Sequence, residues 1–313
     1  KSFLIIHLHP TCGKELKRAV GSCYNGGDFM VLHGCCRRHV EIVRDGMIKI
    51  IFSDMDGTLL DEHGNVPEGF DEIAEELEKR GVMFAPASGR QYYSLEDSFM
   101  KYKDRFLFLA ENGTVVMYKG EKIFTCPMDK QIAQQVLKVV EPFPEIYGVF
   151  CGTKNGYVLS RQYTDEFLQE LHKYYTHSEP IPSFIDVPDE PVKVSLFDPT
   201  GRAEETIYPL VRQFEKDLQV VLASDYWVDL MNPGINKGVA VRKVQKRFGI
   251  RPEECAAFGD YMNDAEMMEA VSYSFAMGNA YPAIKKLARF ETGTNVEKGV
   301  LMGIERLMKE GLI

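Results

Sequence analysis

The sequence predicts an α/β protein, with a doubly wound, mostly parallel sheet that is interrupted by an inserted α+β domain. Short apolar runs rich in β-branched residues alternate with helical patterns, as in βαβ units. Polar side chains follow several of these runs directly, where open α/β sheets place their chemistry. Over residues 126–222 the alternation gives way to a mixed pattern broken by prolines. A chain of 313 residues is also consistent with two domains.

The first predicted strand lies in residues 48–52, where isoleucines and a phenylalanine form a nearly continuous apolar run. Such a run is typical of a strand buried on both faces. Asp54, Asp56, Gly57 and Thr58 follow it at once. Gly57 allows a sharp turn that brings backbone N–H groups near an anion. An Asp-rich turn could also have a purely structural role, but Asp-Met-Asp-Gly-Thr-Leu-Leu after an apolar strand is a far more specific pattern.

The first βαβ unit continues with a crossover helix predicted over Pro67–Arg80, whose apolar residues recur at i, i+3, i+4 and i+7. Val82–Ala85 is the next buried strand, and it leads into Ser88-Gly89-Arg90. Since parallel strands end at the same edge of a sheet, we expect Ser88 near Asp54. Ser88 could simply cap the following helix. A hydroxyl and the free N–H groups of a helix start also make a phosphate site.

A third strand is predicted over Phe106–Ala110, and a hairpin over 114–125 around Lys119-Gly120. Residues 126–222 then mix helices (131–140, 165–174) with short strands (157–159, 192–197), and they show no catalytic pattern. Their number suits a separate α+β domain.

The core sheet is expected to resume at Trp227–Met231, before Asn236-Lys237-Gly238 and a helix that ends at Gly249. Lys237 would occupy the first turn of that helix. A cation is unfavourable there unless an anion or a carboxylate lies beside it, because a helix N-terminus is already positive. A solvated surface lysine is the structural alternative, but we favour a functional role.

A further buried strand, Cys255–Phe258, leads into Gly259-Asp260-Tyr261-Met262-Asn263-Asp264. A turn alone would not require two acids. The stretches 275–280 and 295–299 and a final helix complete the chain.

Four of these segments, taken in order, resemble the motifs of the haloacid dehalogenase superfamily. They are Asp54–Leu60, Ser88-Gly89-Arg90, Asn236-Lys237-Gly238 and Gly259–Asp264. The last has the form found in the Cof-like branch, subclass IIB, which also inserts its cap between the second and third motifs. Residues 126–222 lie at that position, and the resemblance implies that they form a lid that closes over the substrate and helps to exclude water. The resemblance covers about residues 47–313. It departs from the branch at Lys298, where an acidic residue usually precedes the Gly-Val pair.

The resemblance implies a Rossmann-like core (47–125 and 223–313), a C2-type cap (126–222) and a Mg²⁺-dependent phosphatase. In the family pattern Asp54 is the nucleophile and Asp56 the proton donor and acceptor. Mg²⁺ is bound by Asp54, Asp260 and the backbone carbonyl of Asp56. Asp264 supports the metal ligands without binding the ion. The phosphoryl oxygens are held by Ser88, Lys237, Asn263 and the amides of Met55 and Gly89.

Carboxylate oxygens are the ligands that Mg²⁺ prefers, which agrees with this set. The pKa values of two acids two positions apart can be set separately by their surroundings, so that one acid serves as nucleophile and the other as proton donor. The expected activity is hydrolysis of phosphate monoesters of small metabolites, such as sugar phosphates or cofactor phosphates. A phosphomutase of the same superfamily and a non-catalytic phosphate-ligand sensor remain alternatives.

The composition limits the classes of partner that we expect for this protein. The formal net charge is −9, so broad electrostatic binding to nucleic acid or to an anionic membrane is not expected. No apolar run approaches the ~18 residues that span a bilayer. A small phosphorylated substrate is the expected partner, and the cytoplasm is the expected location. Neither the physiological substrate nor the oligomeric state can be predicted from the sequence.

Residues 1–46 differ from the rest, with four of the seven cysteines and four of the seven histidines. Their Cys spacing matches no compact zinc pattern. As a secretory signal the segment is poor, because His7 interrupts a short apolar run. We interpret residues 1–46 as an extension outside the catalytic fold. We expect them to be sequence upstream of a start at Met47. A Cys/His metal module and a secretory signal remain the alternatives.

Overall fold

The computed structural model describes residues 47–313, and the predicted extension over residues 1–46 lies outside the described residues. The strands, in chain order, are β1 (Ile50–Asp54), β2 (Met83–Ala87), β3 (Leu107–Ala110), β4 (Val115–Tyr118), β5 (Glu121–Thr125), β6 (Tyr147–Gly152), β7 (Gly156–Leu159), β8 (Ser178–Ile181), β9 (Pro191–Phe197), β10 (Gln219–Leu222), β11 (Trp227–Met231), β12 (Cys255–Gly259), β13 (Tyr273–Ala276) and β14 (Phe290–Glu291).

The α-helices of this part of the chain are α1 (Phe70–Lys79), α2 (Tyr92–Ser98), α3 (Lys130–Val140), α4 (Asp165–Leu171), α5 (Ala203–Thr206), α6 (Tyr208–Val211), α7 (Lys237–Phe248), α8 (Ala265–Glu269), α9 (Pro282–Leu287) and α10 (Gly299–Lys309). Among the described residues, no helix combines the length and the apolar character that crossing a bilayer requires.

The first sheet has eight strands in the order β14-β13-β12-β1-β2-β3-β4-β5. The strands from β14 to β3 are parallel, and β4 and β5 add an antiparallel hairpin at one edge. Lys119 and Gly120 both have positive φ at the tip of this hairpin, which is the geometry of a two-residue type I′ turn. The sheet confirms the predicted parallel α/β core.

The position of β1 explains why the candidate site residues lie at one edge of the first sheet. This strand pairs with β2 on one side and β12 on the other, and all five of its residues are buried. Helix α1 turns Phe70, Ala74 and Leu77 inward, the face that its periodicity predicts. Because the three parallel strands end at one edge, the residues that follow them converge there.

The second sheet has six strands in the order β10-β11-β9-β6-β7-β8. Its neighbours are antiparallel except for β7 and β8. Helix α3 and the core residues Ala133, Val136 and Leu137 contribute to the apolar cluster beneath it. With its helices, this sheet forms the predicted α+β cap.

The prediction that Trp227–Met231 returns to the core sheet is wrong. In the structure this strand, β11, pairs with β9 and β10 of the second sheet, with Asp229 opposite Ser195. All five of its residues are buried. A short strand buried on both faces has the same apolar pattern in either sheet, so the sequence alone did not assign it. The division of the chain into a core and a cap domain stays a prediction, but the pairing of β11 with the second sheet places the return to the core after Met231 and not after residue 222.

The chain passes between the two sheets at two neighbouring points. The first is the segment Cys126–Pro127 after β5, and the second is Asn232 directly after β11. Asn232 Nδ2 donates to the carbonyl oxygen of Pro127 at 2.8 Å, and it lies 3.2 Å from Cys126 Sγ. The two crossings are therefore hydrogen bonded to each other.

Candidate active site

The carboxyl ends of β1, β2 and β12 and the start of α7 open into one cleft of about 510 Å³. Asp54 is the last residue of β1, Ser88 follows β2, Asp260 follows β12 and Lys237 begins α7. The residues that line the cleft also include Asp56, Gly89, Arg90, Asn112 and Asn263 from the core side. The predicted site residues thus meet at one sheet edge, although they come from four separate segments.

Lys237 lies at the centre of this group. Its side chain is fully buried, and Nζ lies 2.5 Å from Asp54 Oδ1 and 2.6 Å from Asp264 Oδ1. Asn236 caps α7 by accepting a hydrogen bond from the N–H of Val239. The two carboxylates compensate the unfavourable position of a cation at a helix N-terminus, as the sequence predicts.

Three carboxylates form a cluster that suits a divalent cation. Asp54, Asp260 and Asp264 each offer an oxygen, and these atoms all lie within 4.8 Å of one another. Both Asp264 oxygens already have partners, since Oδ1 accepts from Lys237 and Oδ2 accepts from the N–H groups of Asp260 and Tyr261. Asp264 therefore holds its neighbours in place, while Asp54 and Asp260 are the better candidates for ligands. Hard oxygen donors are the type that Mg²⁺ takes.

The electrostatics of the cluster support the same conclusion. Burial, followed by the nearby charge of Asp264, raises the pKa of the Asp54 carboxyl well above its usual range, although Lys237 opposes this. Burial also raises the pKa of Asp260. For Lys237 the effect of burial is outweighed by the charges of Asp264 and Asp54, which raise its pKa. Three carboxylates thus share one ammonium group, and a bound cation would relieve the excess of negative charge.

The turn after β1 fits closely against Asp260. Gly57 has a φ of +76°, and a Cβ atom at this position would lie 2.5 Å from Asp260 Oδ2. Thr58 Oγ1 donates to Asp260 Oδ1 at 2.8 Å. On its other side, Asn279 Nδ2 donates to the carbonyl oxygen of Gly57 at 2.8 Å. Only glycine satisfies both the backbone conformation and the close approach at this position.

The loop Ser88–Arg90, between β2 and α2, is held by hydrogen bonds on every residue. The carbonyl oxygen of Ser88 accepts from the Asn112 N–H, that of Arg90 from the Glu111 N–H, and that of Gly89 from Lys193 Nζ. The Arg90 N–H donates to Ser88 Oγ at 3.1 Å. A loop with its carbonyl groups bound elsewhere can present amide and hydroxyl groups to an anion.

Asp56 makes a contact that the sequence analysis does not predict. Arg90 Nε donates to Asp56 Oδ2 at 2.9 Å, and Arg90 Nη2 contacts Oδ1. The Asp56 side chain is 53% exposed on the cleft side, and it does not belong to the carboxylate cluster found among residues 47–313. The metal contact implied for Asp56 is its backbone carbonyl and not its side chain, and that role stays a prediction.

The other predicted phosphate-binding residues differ in their surroundings. Asn263 is exposed and lines the cleft. The Met55 side chain is fully buried in the core, so only its backbone could face a substrate. Gly89 lies under Asn112, whose Oδ1 would be 3.2 Å from a Cβ at residue 89. The phosphate-binding roles of Asn263, Met55 and Gly89 stay predictions.

Sequence reasoning missed several residues that build the site. The sequence marks Arg90 only as part of a motif, and it marks Glu111-Asn112-Gly113 only as the stretch that follows the predicted third strand. Both Glu111 and Asn112 have positive φ, as does Gly113. Asparagine and glycine tolerate this conformation, so Asn-Gly after a buried strand is the signal that could have marked this turn. Asn279 lies in the stretch 275–280, but its hydrogen bond to Gly57 joins residues that are 222 positions apart, which no local pattern predicts.

The cap forms the opposite wall of the cleft. Its lining includes Tyr174, Tyr175, Ser195, Trp227 and Asp229. The aromatic side chains are largely buried, and their rings and the polar atoms of Ser195 and Asp229 enclose the space above the core residues. This wall agrees with the predicted role of the cap as a lid.

The chain matches the model of the haloacid dehalogenase-like hydrolases over residues 51–304. It belongs to this family, and within it the chain is a phosphatase. The predicted membership of the haloacid dehalogenase superfamily is confirmed. Among solved structures, the fold is similar to that of a HAD subclass IIB sugar phosphatase named BT4131, and the match covers 85% of this chain and 100% of that one. That likeness, at 20% identity and a TM-score of 0.70, concerns the fold alone.

One relative in Escherichia coli (strain K12), a 5-amino-6-(5-phospho-D-ribitylamino)uracil phosphatase, is 31% identical over 267 residues. The match covers 84% of this chain and 97% of that protein. The crystal structure of SMU.1108c from Streptococcus mutans UA159 is 26% identical, with a TM-score of 0.74, and the match covers 84% of this chain and 99% of that one. These matches confirm the predicted fold and the predicted enzyme class.

Proposed function

We propose that this phosphatase hydrolyses phosphate monoesters of small metabolites through an aspartyl-phosphate intermediate on Asp54, with Mg²⁺ at the carboxylate cluster. The observation that carries the proposal is the convergence of Asp54, Asp260 and Lys237 from three segments of the chain. Had the Asp54 and Asp260 side chains pointed apart, no shared cation position would exist. Mg²⁺ bound there would neutralise charge on the phosphoryl oxygens and orient them.

In the first step, an oxygen of Asp54 attacks phosphorus and the bond to the alcohol oxygen breaks. Asp56, which enters this step in its protonated form, donates its proton to the departing alkoxide. In the second step, a water molecule attacks the phosphorus of the aspartyl phosphate and passes its proton to Asp56, and the bond to Asp54 breaks. Inorganic phosphate leaves, and both carboxyl groups return to their first state.

Three features of the chain support these assignments. Lys237 is buried against Asp54, so it can hold a phosphoryl oxygen close to the nucleophile. The Ser88 hydroxyl lies at the adjacent loop. Arg90 orients the Asp56 carboxylate on the open side of the cleft, where a leaving group would depart. Binding and orientation of this kind supply much of the catalysis of phosphoryl transfer.

The substrate class follows from the cleft and from the relatives. A volume of about 510 Å³ between aromatic rings and polar groups accommodates a phosphorylated metabolite larger than phosphate itself. The E. coli relative is named for a phosphorylated ribityl-uracil compound. The compounds to compare are therefore sugar phosphates, flavin mononucleotide, pyridoxal phosphate and that ribityl-uracil phosphate.

The test is release of inorganic phosphate from p-nitrophenyl phosphate with Mg²⁺, compared for the parent, Asp54→Asn and Asp104→Asn. Asp104 is an exposed residue away from the cleft lining and serves as the matched control. We expect turnover by the parent and the control, and none above background for Asp54→Asn. Equal rates for Asp54→Asn and the parent would refute the proposed nucleophile.

A further inference from the structure

A buried ionic network joins the cap to the core at the wall of the cleft, whose lining includes Lys193 and Asp229. Lys193, on the middle strand β9 of the cap, lies 2.8 Å from Glu111 Oε2 and 3.1 Å from Asp229 Oδ2. All three side chains are at most 8% exposed. Glu111 belongs to the core, whereas Lys193 and Asp229 belong to neighbouring strands of the cap. The network therefore connects the two sheets through charged groups that water does not screen.

The partners of this network are fixed by further hydrogen bonds. Tyr175 donates its hydroxyl proton to Glu111 Oε2 at 2.9 Å, and Ser195 Oγ donates to Asp229 Oδ1 at 2.6 Å. Burial opposes the charge on Lys193, but Asp229 and Glu111 outweigh it and raise the pKa of this lysine. Lys193 is thus a permanent cation held by the cap on one side and by Glu111 on the other.

The third contact of Lys193 reaches the candidate phosphate-binding loop. Nζ lies 3.1 Å from the carbonyl oxygen of Gly89. The same peptide group donates its Arg90 N–H to Ser88 Oγ at 3.1 Å. The peptide between Gly89 and Arg90 is therefore held at its oxygen by a cap residue and at its nitrogen by the Ser88 hydroxyl.

The core also holds the loop through an unusual turn. Glu111 and Asn112 donate their N–H groups to Arg90 and Ser88, and both residues have positive φ. Asparagine tolerates this conformation, but at Glu111 it is costly and persists only where surrounding contacts enforce it. The Glu111 carboxylate, held by Lys193, is one of these contacts. Lys193 thus acts on the loop directly through Gly89 and indirectly through Glu111.

We propose that Lys193 is a positioning residue for phosphoryl transfer: its ammonium group, carried by the cap, makes the geometry of the Ser88–Arg90 loop depend on the position of the cap. The inference rests on the proposed function, in which this loop holds the phosphoryl group. Displacement of the cap would remove the ammonium from Gly89 and loosen the loop. The loop is complete only when the cap lies as in this structure.

The experiment compares Lys193→Met, Lys193→Arg and the double variant Lys193→Met/Glu111→Gln with the matched control Lys138→Met. Lys138 is an exposed lysine on helix α3 of the cap. The double variant removes one of the carboxylates that Lys193→Met leaves unpaired, so it keeps the test valid if the single variant fails to fold. Each folded protein is assayed for kcat and KM, for inhibition by orthovanadate, and for amide hydrogen exchange in the peptide that contains residues 86–92.

We expect the double variant to lose about 100-fold in kcat/KM, the cost of a misplaced binding group, with weaker vanadate inhibition and faster exchange in residues 86–92. Lys193→Arg should recover part of this loss, and Lys138→Met should match the parent. A double variant with parental kcat/KM, parental vanadate inhibition and unchanged exchange would overturn the proposal. A parent that hydrolyses no phosphate ester would refute the proposed function instead, and the exchange data would still decide whether Lys193 holds the loop.

Discussion

Arg90 donates hydrogen bonds to both carboxylate oxygens of Asp56, which joins the end of one core strand to the loop after the next. Arg90 is mostly buried, with a side chain that is 16% exposed, whereas the Asp56 side chain is 53% exposed. A fixed guanidinium group therefore orients a carboxylate that otherwise faces the open cleft. A two-bond contact of this kind fixes orientation better than a single charge does.

The contact predicts the effect of replacing Arg90. We expect Arg90→Met to lower kcat by about 100-fold, the lower range for loss of general acid–base catalysis, because Asp56 would no longer be held in one orientation. Arg90→Lys should retain the charge but not the two-bond geometry, and should fall between Met and the parent. Steady-state kinetics on p-nitrophenyl phosphate provide the measurement. Equal kcat values for Arg90→Met and the parent would show that Asp56 needs no such support.

Gly57 offers a prediction with a matched control in the same loop region. A Cβ at Gly57 would lie 2.5 Å from Asp260 Oδ2, whereas at Gly64 nothing lies within 4 Å, although the φ values are similar at +76° and +79°. Both alanine variants should lose about 1 kcal/mol of unfolding free energy from backbone strain. Only Gly57→Ala should also lose Mg²⁺-dependent activity. Parental activity in a folded Gly57→Ala protein would mean that the turn and Asp260 can separate without consequence.

Metal binding should be visible in stability as well as in activity. A ligand that binds the folded state alone stabilises it by about 2.7 kcal/mol at 100 times its Kd. We therefore expect Mg²⁺ to raise the Tm of the parent, and EDTA to reverse the rise and abolish turnover. Asp260→Asn should remove most of the Mg²⁺-dependent shift. Differential scanning calorimetry with and without Mg²⁺ tests this, and a shift of parental size in Asp260→Asn would exclude Asp260 as a ligand.

Glu254 lies away from the candidate active site, and we expect its charge to make the stability of the folded protein depend on pH. Despite the opposing effect of its partial burial, hydrogen bonds from Lys49 and from Arg251 lower the pKa of Glu254. The folded state thus favours the carboxylate, so the stabilisation is present above the unfolded pKa, about 4.3, and is lost as the pH falls below it. Glu254→Gln should cost about 1 kcal/mol at pH 7.

The check on Glu254 is urea unfolding at pH 7 and at pH 3.5. The difference between Glu254→Gln and the parent should shrink on acidification, while the exposed neighbour variant Glu253→Gln should show little change at either pH. Phosphatase activity at pH 7 should be unaffected in both. A cost for Glu254→Gln that is the same at the two pH values would indicate that its charge contributes nothing.

The sequence predicts the core well because its signals are local. Asp54, Ser88, Lys237 and Asp260 each follow a strand or begin a helix that the apolar pattern marks, and parallel strands bring their ends together. The contacts of Arg90 and Lys193 were missed because they join segments whose proximity no local pattern encodes. The same limit explains why β11 was predicted in the wrong sheet. Its apolar residues would fit either sheet, and only its pairing with distant strands determines to which sheet it belongs.

The hydrogen bond from Asn232 to the carbonyl of Pro127 has a structural consequence. Since the polypeptide leaves the core and re-enters it at adjacent points, everything between them behaves as a cassette. Such a cassette can be lengthened, shortened or exchanged during evolution without breaking any parallel strand of the core. Diversity among relatives should therefore concentrate between these two crossings, while the strands that carry the acids keep their arrangement.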